Sequence, residues 1–232
     1  MLETPSRHAW RHSLPREDNI LLPYAAPASK GTGTYRERGS RFVGIAAPVS
    51  DWHDFHAFLA SVHAEHAGAD HVAYAHRTQP GCGNTRHADG GEPQGTAGPA
   101  LVMCLEGAGL EGAAVAVARY YGGTPLGTGN LSRAYGAAAR AALAAAGTIT
   151  MVPWRSYRVE TALADTPAVE HALRGAGAVI DERSYENKAV LTVSLPCSQG
   201  VAVEDLLFRW HAEVAGCGVR YRPDEATPQP RR

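Results

Sequence analysis

Apolar and polar positions change their period several times along this chain, and each period predicts an element. Thr32–Arg38 and Arg41–Pro48 carry short strand-like runs on either side of Gly39-Ser40, the pattern of a β-hairpin. Trp52, Phe55, Leu59 and Val62 then recur at helical spacing, with Ser50 or Asp51 placed to cap a helix that runs to about His66. His71–Thr78 alternates as a strand. Gln79–Glu92 is rich in Gly, Asn and Asp and is expected as loop. Gly95–Leu105 has the small residues of a compact helix. Gly112–Tyr121 contains Ala-Ala-Val-Ala-Val-Ala, a strand apolar on both faces. Gly122–Gly129 is a glycine loop, and Leu131–Ala146 is a helix stopped by Gly147.

The second half follows a different pattern. Trp154–Leu163 predicts a strand, and Asp165 caps a helix to about Gly175. Ala178–Tyr185 and Lys188–Leu195 predict two strands that turn at Glu186-Asn187. Ser198 starts a helix to about His211, and Val214–Arg222 closes the series as a strand. The order is βαββαβ, the split-βαβ arrangement. The expected organisation is therefore a loose extension over 1–30, a first domain over 31–148, a second over 153–222 and a disordered tail over 223–232. The fold class is α+β.

Composition narrows the function. The chain has 232 residues, 44% hydrophobic and 19% charged, with a formal net charge of −1. That is an ordinary globular composition without a global basic field, so nucleic acid would have to be held by a local patch. Cys82, Cys104, Cys197 and Cys217 form no CxxC pair, which argues against a zinc site or a disulfide framework and fits a cytoplasmic protein. No apolar stretch is long enough to span a membrane. No Walker loop, HExxH or Gly-x-Ser-x-Gly elbow occurs, and no metal or cofactor is expected.

Two glycine-punctuated segments carry the candidate chemistry. In Arg119-Tyr-Tyr-Gly-Gly-Thr-Pro-Leu-Gly-Thr-Gly-Asn-Leu-Ser-Arg-Ala-Tyr135, a buried strand runs through Gly122, Gly123, Gly127 and Gly129 into a helix N-terminus. Outward-turned amides, a positive helix end and the flanking Arg119 and Arg133 make an anion site, with Tyr120 and Tyr135 as exposed-type tyrosines beside it. The plain alternative is a corner that needs glycine only to turn. In Asp89-Gly-Gly-Glu-Pro-Gln-Gly-Thr-Ala-Gly98, Gly95 gives the backbone freedom, and Thr96 either caps the following helix or donates to a ligand. Asp89 and Glu92 beside an anion site imply a metal, a general base or an ion-pair partner for Arg119. His71 and His76 fall on opposite faces of their strand. His71 is the better site candidate, with a core histidine the alternative.

These segments resemble the YigZ/IMPACT family. The resemblance rests on Ala69-Asp-His-Val-Ala-Tyr-Ala-His-Arg77 and on the two glycine segments, with Ser40-Arg-Phe42 and Ala46-Ala-Pro-Val49 fitting upstream. It covers roughly Leu21 to Arg222 and brings Arg77 into the candidate ligand-binding set. It implies an N-terminal ribosomal-protein-like α/β domain of the kind shared by domain IV of elongation factor G and the GHMP kinases. It also implies a C-terminal ferredoxin-like domain. Eukaryotic relatives act in translational control; for bacterial members the resemblance implies nucleic-acid or ribosome binding, with a peptidase activity as an enzymatic alternative. Some positions depart from the family pattern. Gly90 stands where a second acid is usual, a residue before Pro99 is missing, Asn130 replaces glycine, and Ala73 and His76 replace Cys and Tyr.

The expected function is thus a binding or regulatory factor linked to translation, gripping a phosphate-bearing ligand of RNA or ribosome. Tyr157, Tyr185 and Tyr221 are the aromatics available for stacking on the second domain. The alternatives are a phosphotransferase-like or hydrolytic enzyme in the same cleft, or an adaptor for a protein partner.

Overall fold

In a computed structural model, which describes residues 22–80 and 85–224, the chain is an α+β protein with antiparallel sheets. It divides into two compact units, Pro23–Met151 and Val152–Arg222.

The first unit contains β1 (Tyr24–Pro27), β2 (Gly31–Glu37), β3 (Ser40–Pro48), α1 (Trp52–Glu65), β4 (His71–Arg77), β5 (Thr85–Ala88), α2 (Gly98–Gly107), β6 (Ala113–Tyr120), α3 (Thr128–Ala146) and the start of β7 (Thr148–Thr161). Its main sheet has the order β2-β3-β6-β4-β5. Central β6 is buried from Ala113 to Arg119 because α2 and α3 cover one face and α1 the other. That is why its sequence shows no alternation. Phe42, Ala73, Ala75, Val115 and Val117 face α2 and α3, whereas Ile45, Ala114 and Ala116 face Phe55, Phe58 and Val62 of α1.

Residue size sets how closely α3 approaches the sheet. A side chain at Gly31, Gly33 or Gly44 would overlap the α3 backbone between Ala138 and Ala146, so glycine strands face an alanine helix at very short range. The β2–β3 turn is Arg38-Gly39, both with positive φ, as a two-residue hairpin with right-handed strand twist requires.

Several expectations shift. Tyr24–Pro27 lies in the segment expected to be loose, yet it pairs with Thr148–Met151 as a strand. Its four residues, the last of them Pro27, are too few to show a period. Thr85–Ala88 forms an edge strand inside the expected loop; its exposure on both faces leaves no apolar signal. The α1 stripe is centred on Phe55, Phe58 and Val62, with Trp52 44% exposed. Asp51 supplies the cap, accepting from the Asp54 amide at 2.8 Å. Residues 1–21, Cys82 and the tail beyond Asp224 lie outside the described residues.

The second unit follows the βαββαβ order: β7, α4 (Thr166–Gly175), β8 (Val179–Tyr185), β9 (Ala189–Pro196), α5 (Val203–Leu207) and β10 (Glu213–Pro223). The strand order is β10-β7-β9-β8. Val159, Leu191, Val193 and Leu195 pack under Val169, Leu173, Val203 and Leu207. The helix expected from Ser198 to His211 is broken into short turns around α5, because Gly200 takes a left-handed conformation. Asp165 stands at the N-cap position of α4 without a side-chain capping bond. Tyr157, expected as a stacking platform, is 6% exposed and belongs to the helix-side core. By alternation the opposite face carries Trp154, with the Arg222 guanidinium 4.9 Å from its ring centroid.

Candidate functional site

One end of the first unit's sheet gathers most of the candidate residues. The register places Arg41 opposite Tyr120, and His71 opposite Arg119. The starts of β3 and β4 and the end of β6 therefore converge there, beside the loop leading to α3. Arg77 sits at the other end of β4, opposite Ala113, about 20 Å from His71 at the strand rise. Its guanidinium donates to the Leu110 carbonyl and pairs with Glu111 at 3.5 Å, so Arg77 leaves the candidate site.

Beneath this end lies a buried network. Arg119 Nη1 donates to both Glu92 oxygens, at 2.8 and 3.0 Å, with side-chain exposures of 7% and 2%. Tyr135 is not an exposed tyrosine. It is fully buried against Phe42 and donates its hydroxyl to Glu92 Oε1 at 2.7 Å. Burial, reinforced by the adjacent Glu92 carboxylate, pushes the Tyr135 phenol far up, which keeps it a donor. Arg119 also reaches Ser40 Oγ at 3.5 Å, and the same oxygen accepts from the Gly122 amide at 3.2 Å. Of the roles open to Glu92, the ion pair is the one observed. Arg119 is accordingly consumed inside the chain and is not a surface grip.

Asp89 has a backbone role. Its carboxylate accepts from the Gly95, Ala97 and Gly98 amides at 2.8 to 2.9 Å and so closes the N-terminus of α2. Burial works to raise its pKa, but these three N–H bonds prevail and hold it below the usual carboxylate range. Thr96 donates to the Pro93 carbonyl at 2.6 Å and does not cap α2. His71 Nδ1 lies 3.3 Å from the Gly90 carbonyl. Gly90 itself has φ of 61°, and any side chain there would overlap the Val72 carbonyl. With this backbone, the second acid of the family pattern has no room.

The α3 side of the cleft is open. Gly127 forms the N-cap of α3 with φ of 73°, no side chain caps the helix, and no acidic residue lies in its first turn. Gly123, Gly127 and Gly129 are exposed with open space above them. Gly122 serves a different end, since a side chain there would overlap the backbone of Gly39 in the β2–β3 turn. This contact brings the hairpin tip against the loop. Exposed Arg38, 3.9 Å from Glu37, lies in that hairpin tip; Arg36 and Arg41 pair across the hairpin on the opposite, α1 face of the same sheet end, whereas Arg133 stands on α3. Arg41 stacks over Tyr120 at 4.2 Å, the Tyr120 hydroxyl meets His66 Nδ1 at 2.9 Å, and Tyr121 is 47% exposed. Nearby acids are occupied: Asp70 accepts from the Tyr121 amide at 2.7 Å, and Glu37 accepts from Tyr35 at 3.1 Å. The hairpin arginines were legible as Tyr35-Arg-Glu-Arg-Gly-Ser-Arg41, but only the hairpin contact with Gly122 ties them to the site. Among the described residues no three His, Cys, Asp or Glu side chains converge as a metal site would require, and no helix is long and apolar enough to cross a membrane.

Residues 38–143, which span this end of the sheet, match the Impact N-terminal domain. The chain is also 32% identical over 175 residues to the IMPACT family member YigZ of Escherichia coli K12, covering 75% of this chain and 86% of that protein. The chain belongs to the IMPACT family. An IMPACT family member of Thermus thermophilus is 42% identical over 115 residues, covering 50% of this chain and 61% of that one. A crystal structure of a hypothetical protein superposes with a TM-score of 0.65 at 28% identity, over 84% of this IMPACT chain and 97% of the other. The matched domain contains the buried Glu92–Arg119–Tyr135 network and the α3 N-terminus together.

Proposed function

We propose that this IMPACT family chain is a cytoplasmic binding factor linked to translation, and that it takes a phosphate of RNA or ribosome at the glycine end of its first unit. The carrying observation is the pairing of an uncapped α3 N-terminus with exposed arginines. Free amides and the helix dipole favour an anion there, and among the described residues no side chain caps α3 as Asp89 does α2. Arg38 and Arg133 supply local positive charge beside this loop, and Arg36 and Arg41 carry it round to the α1 face of the same sheet end, on a chain whose net charge is −1. Exposed Tyr121 offers a stacking face.

In this reading the ligand meets Arg133 and the Gly123–Gly129 backbone on the α3 side and passes round the sheet end to Arg41 on the α1 side, while Arg119 and Glu92 hold the floor. The fold assignments of the resemblance belong here too: a ribosomal-protein-like α/β first unit and a ferredoxin-like second unit. The β10-β7-β9-β8 order and the βαββαβ succession support the latter. Fluorescence anisotropy with a labelled single-stranded RNA tests the function. Arg41→Ala with Arg133→Ala weakens binding and flattens its dependence on salt; parent-like binding by the double variant removes this surface from RNA recognition.

A further inference from the structure

A second surface lies between α2 and α3. It is a groove of about 620 Å³ into which Met103 projects, 71% exposed, although its neighbours Leu101 and Leu105 are fully buried. The α2 wall carries Ala100, Met103 and Gly107, and the α3 wall Arg133, Gly136 and Arg140, continuing to Ala144. Both sets recur every three or four residues, so each is one straight helical face. From Arg133 to Ala144 the wall runs about 17 Å at the helical rise, or three turns. Small residues keep the groove open, and Gly107 has nothing within 4 Å of an added Cβ.

Its chemistry is one-sided. The floor is apolar: Cys104 is 8% exposed, its Sγ lies 3.5 Å from the Gly136 carbonyl, and burial pushes the thiol pKa up, so it stays neutral. Among the described residues, the charged ones lining the groove are Arg133 and Arg140. Among the described residues neither has a carboxylate partner: Arg133 bonds Asn130 at 2.6 Å, and Arg140 reaches Cys104 Sγ at 3.8 Å. The two arginines stand seven residues apart on one helix, about 10 Å along its axis.

We propose that this groove docks an acidic amphipathic helix of a partner protein. The apolar stripe of that helix packs on Met103 and the glycine walls, and two of its carboxylates, two turns apart, meet Arg133 and Arg140. Straight walls, an exposed methionine and small residues are the features of helix-in-groove recognition. A second copy of this chain is a poor occupant, since an isologous pairing would set arginine wall against arginine wall.

The test uses the full chain and a fluorescein-labelled alanine-based helical peptide with Glu two turns apart and Leu between, alongside a matched peptide with Lys for both Glu. The Glu peptide binds in preference to the Lys peptide. Met103→Glu and Arg140→Glu, both at exposed positions, each weaken the Glu peptide by about tenfold or more, and Arg140→Glu gains affinity for the Lys peptide. Neither substitution changes RNA binding, because Met103 and Arg140 play no part in the anion surface, so the two accounts fail separately. The proposal is overturned if the Glu peptide does not bind, if the two peptides bind alike, or if both variants keep parental affinity. A chain that sediments as a dimer dissociated by Met103→Glu overturns it as well, by assigning the groove to a second copy.

Discussion

Glu92 and Arg119 are nearly sealed from water, and that makes their pairing a structural commitment. Removing one member strands the other's charge: Glu92→Ala costs about 3–5 kcal/mol of stability. Tyr135→Phe removes a single bond to the same carboxylate and costs about 1.5–3 kcal/mol. Urea denaturation checks the order, and equal losses would contradict a charge-centred network. His76 presents the opposite case. It is 1% exposed against the rings of Trp52 and Phe55, and among the described residues neither ring nitrogen has a partner. Burial first, then the charges of Arg86 and His56, lower its pKa from 6.5. The unfolded chain therefore takes up a proton below about pH 6.5 that the folded chain refuses, and stability falls as pH drops. His76→Phe is expected to gain about 1 kcal/mol at neutral pH and to decline less steeply between pH 6.5 and 5. A variant with the parental slope would refute that origin. Sequence pattern gave the opposite faces of His71 and His76 but could not show that Tyr135 turns inward, because helical spacing leaves Tyr135 beside both core and loop.

At the scale of elements, α2 depends on an acid outside it. Asp89→Ala removes the acceptor of three amides and is expected to cost about 1–2 kcal/mol, with faster exchange of the Gly95, Ala97 and Gly98 amides. Unchanged exchange would show that the cap is not needed. Because the Asp89 carboxyl is held below its ordinary pKa of 3.8, its contribution is present above that value and fades as pH falls through the lower folded value. Long elements with strong periods were legible in sequence: α1, β6, α3 and the β8–β9 pair. Tyr24–Pro27 and Thr85–Ala88 were not, since each is four residues whose partners lie far along the chain or on an exposed edge. The lone acid of the Asp89 segment was visible as a departure. Its reason, the closeness of Gly90 to the Val72 carbonyl, exists only in three dimensions.

At the scale of the whole molecule, a chain with a net charge of −1 has to hold an anion through local cations. The Gly39–Gly122 contact sets the hairpin tip with Arg38 against the loop leading to α3, and the α2–α3 groove adds Arg140 two turns beyond Arg133 on the same helix. Family membership followed from the glycine motifs, whereas the division of labour between a buried Arg119 and surface Arg41 and Arg133 did not. The salt dependence of RNA affinity tests that division most directly. Replacing Arg41 and Arg133 by alanine is expected to lower affinity and to reduce the slope of log affinity against log salt by about one for each cation removed. A double variant with parental affinity and slope would contradict the account.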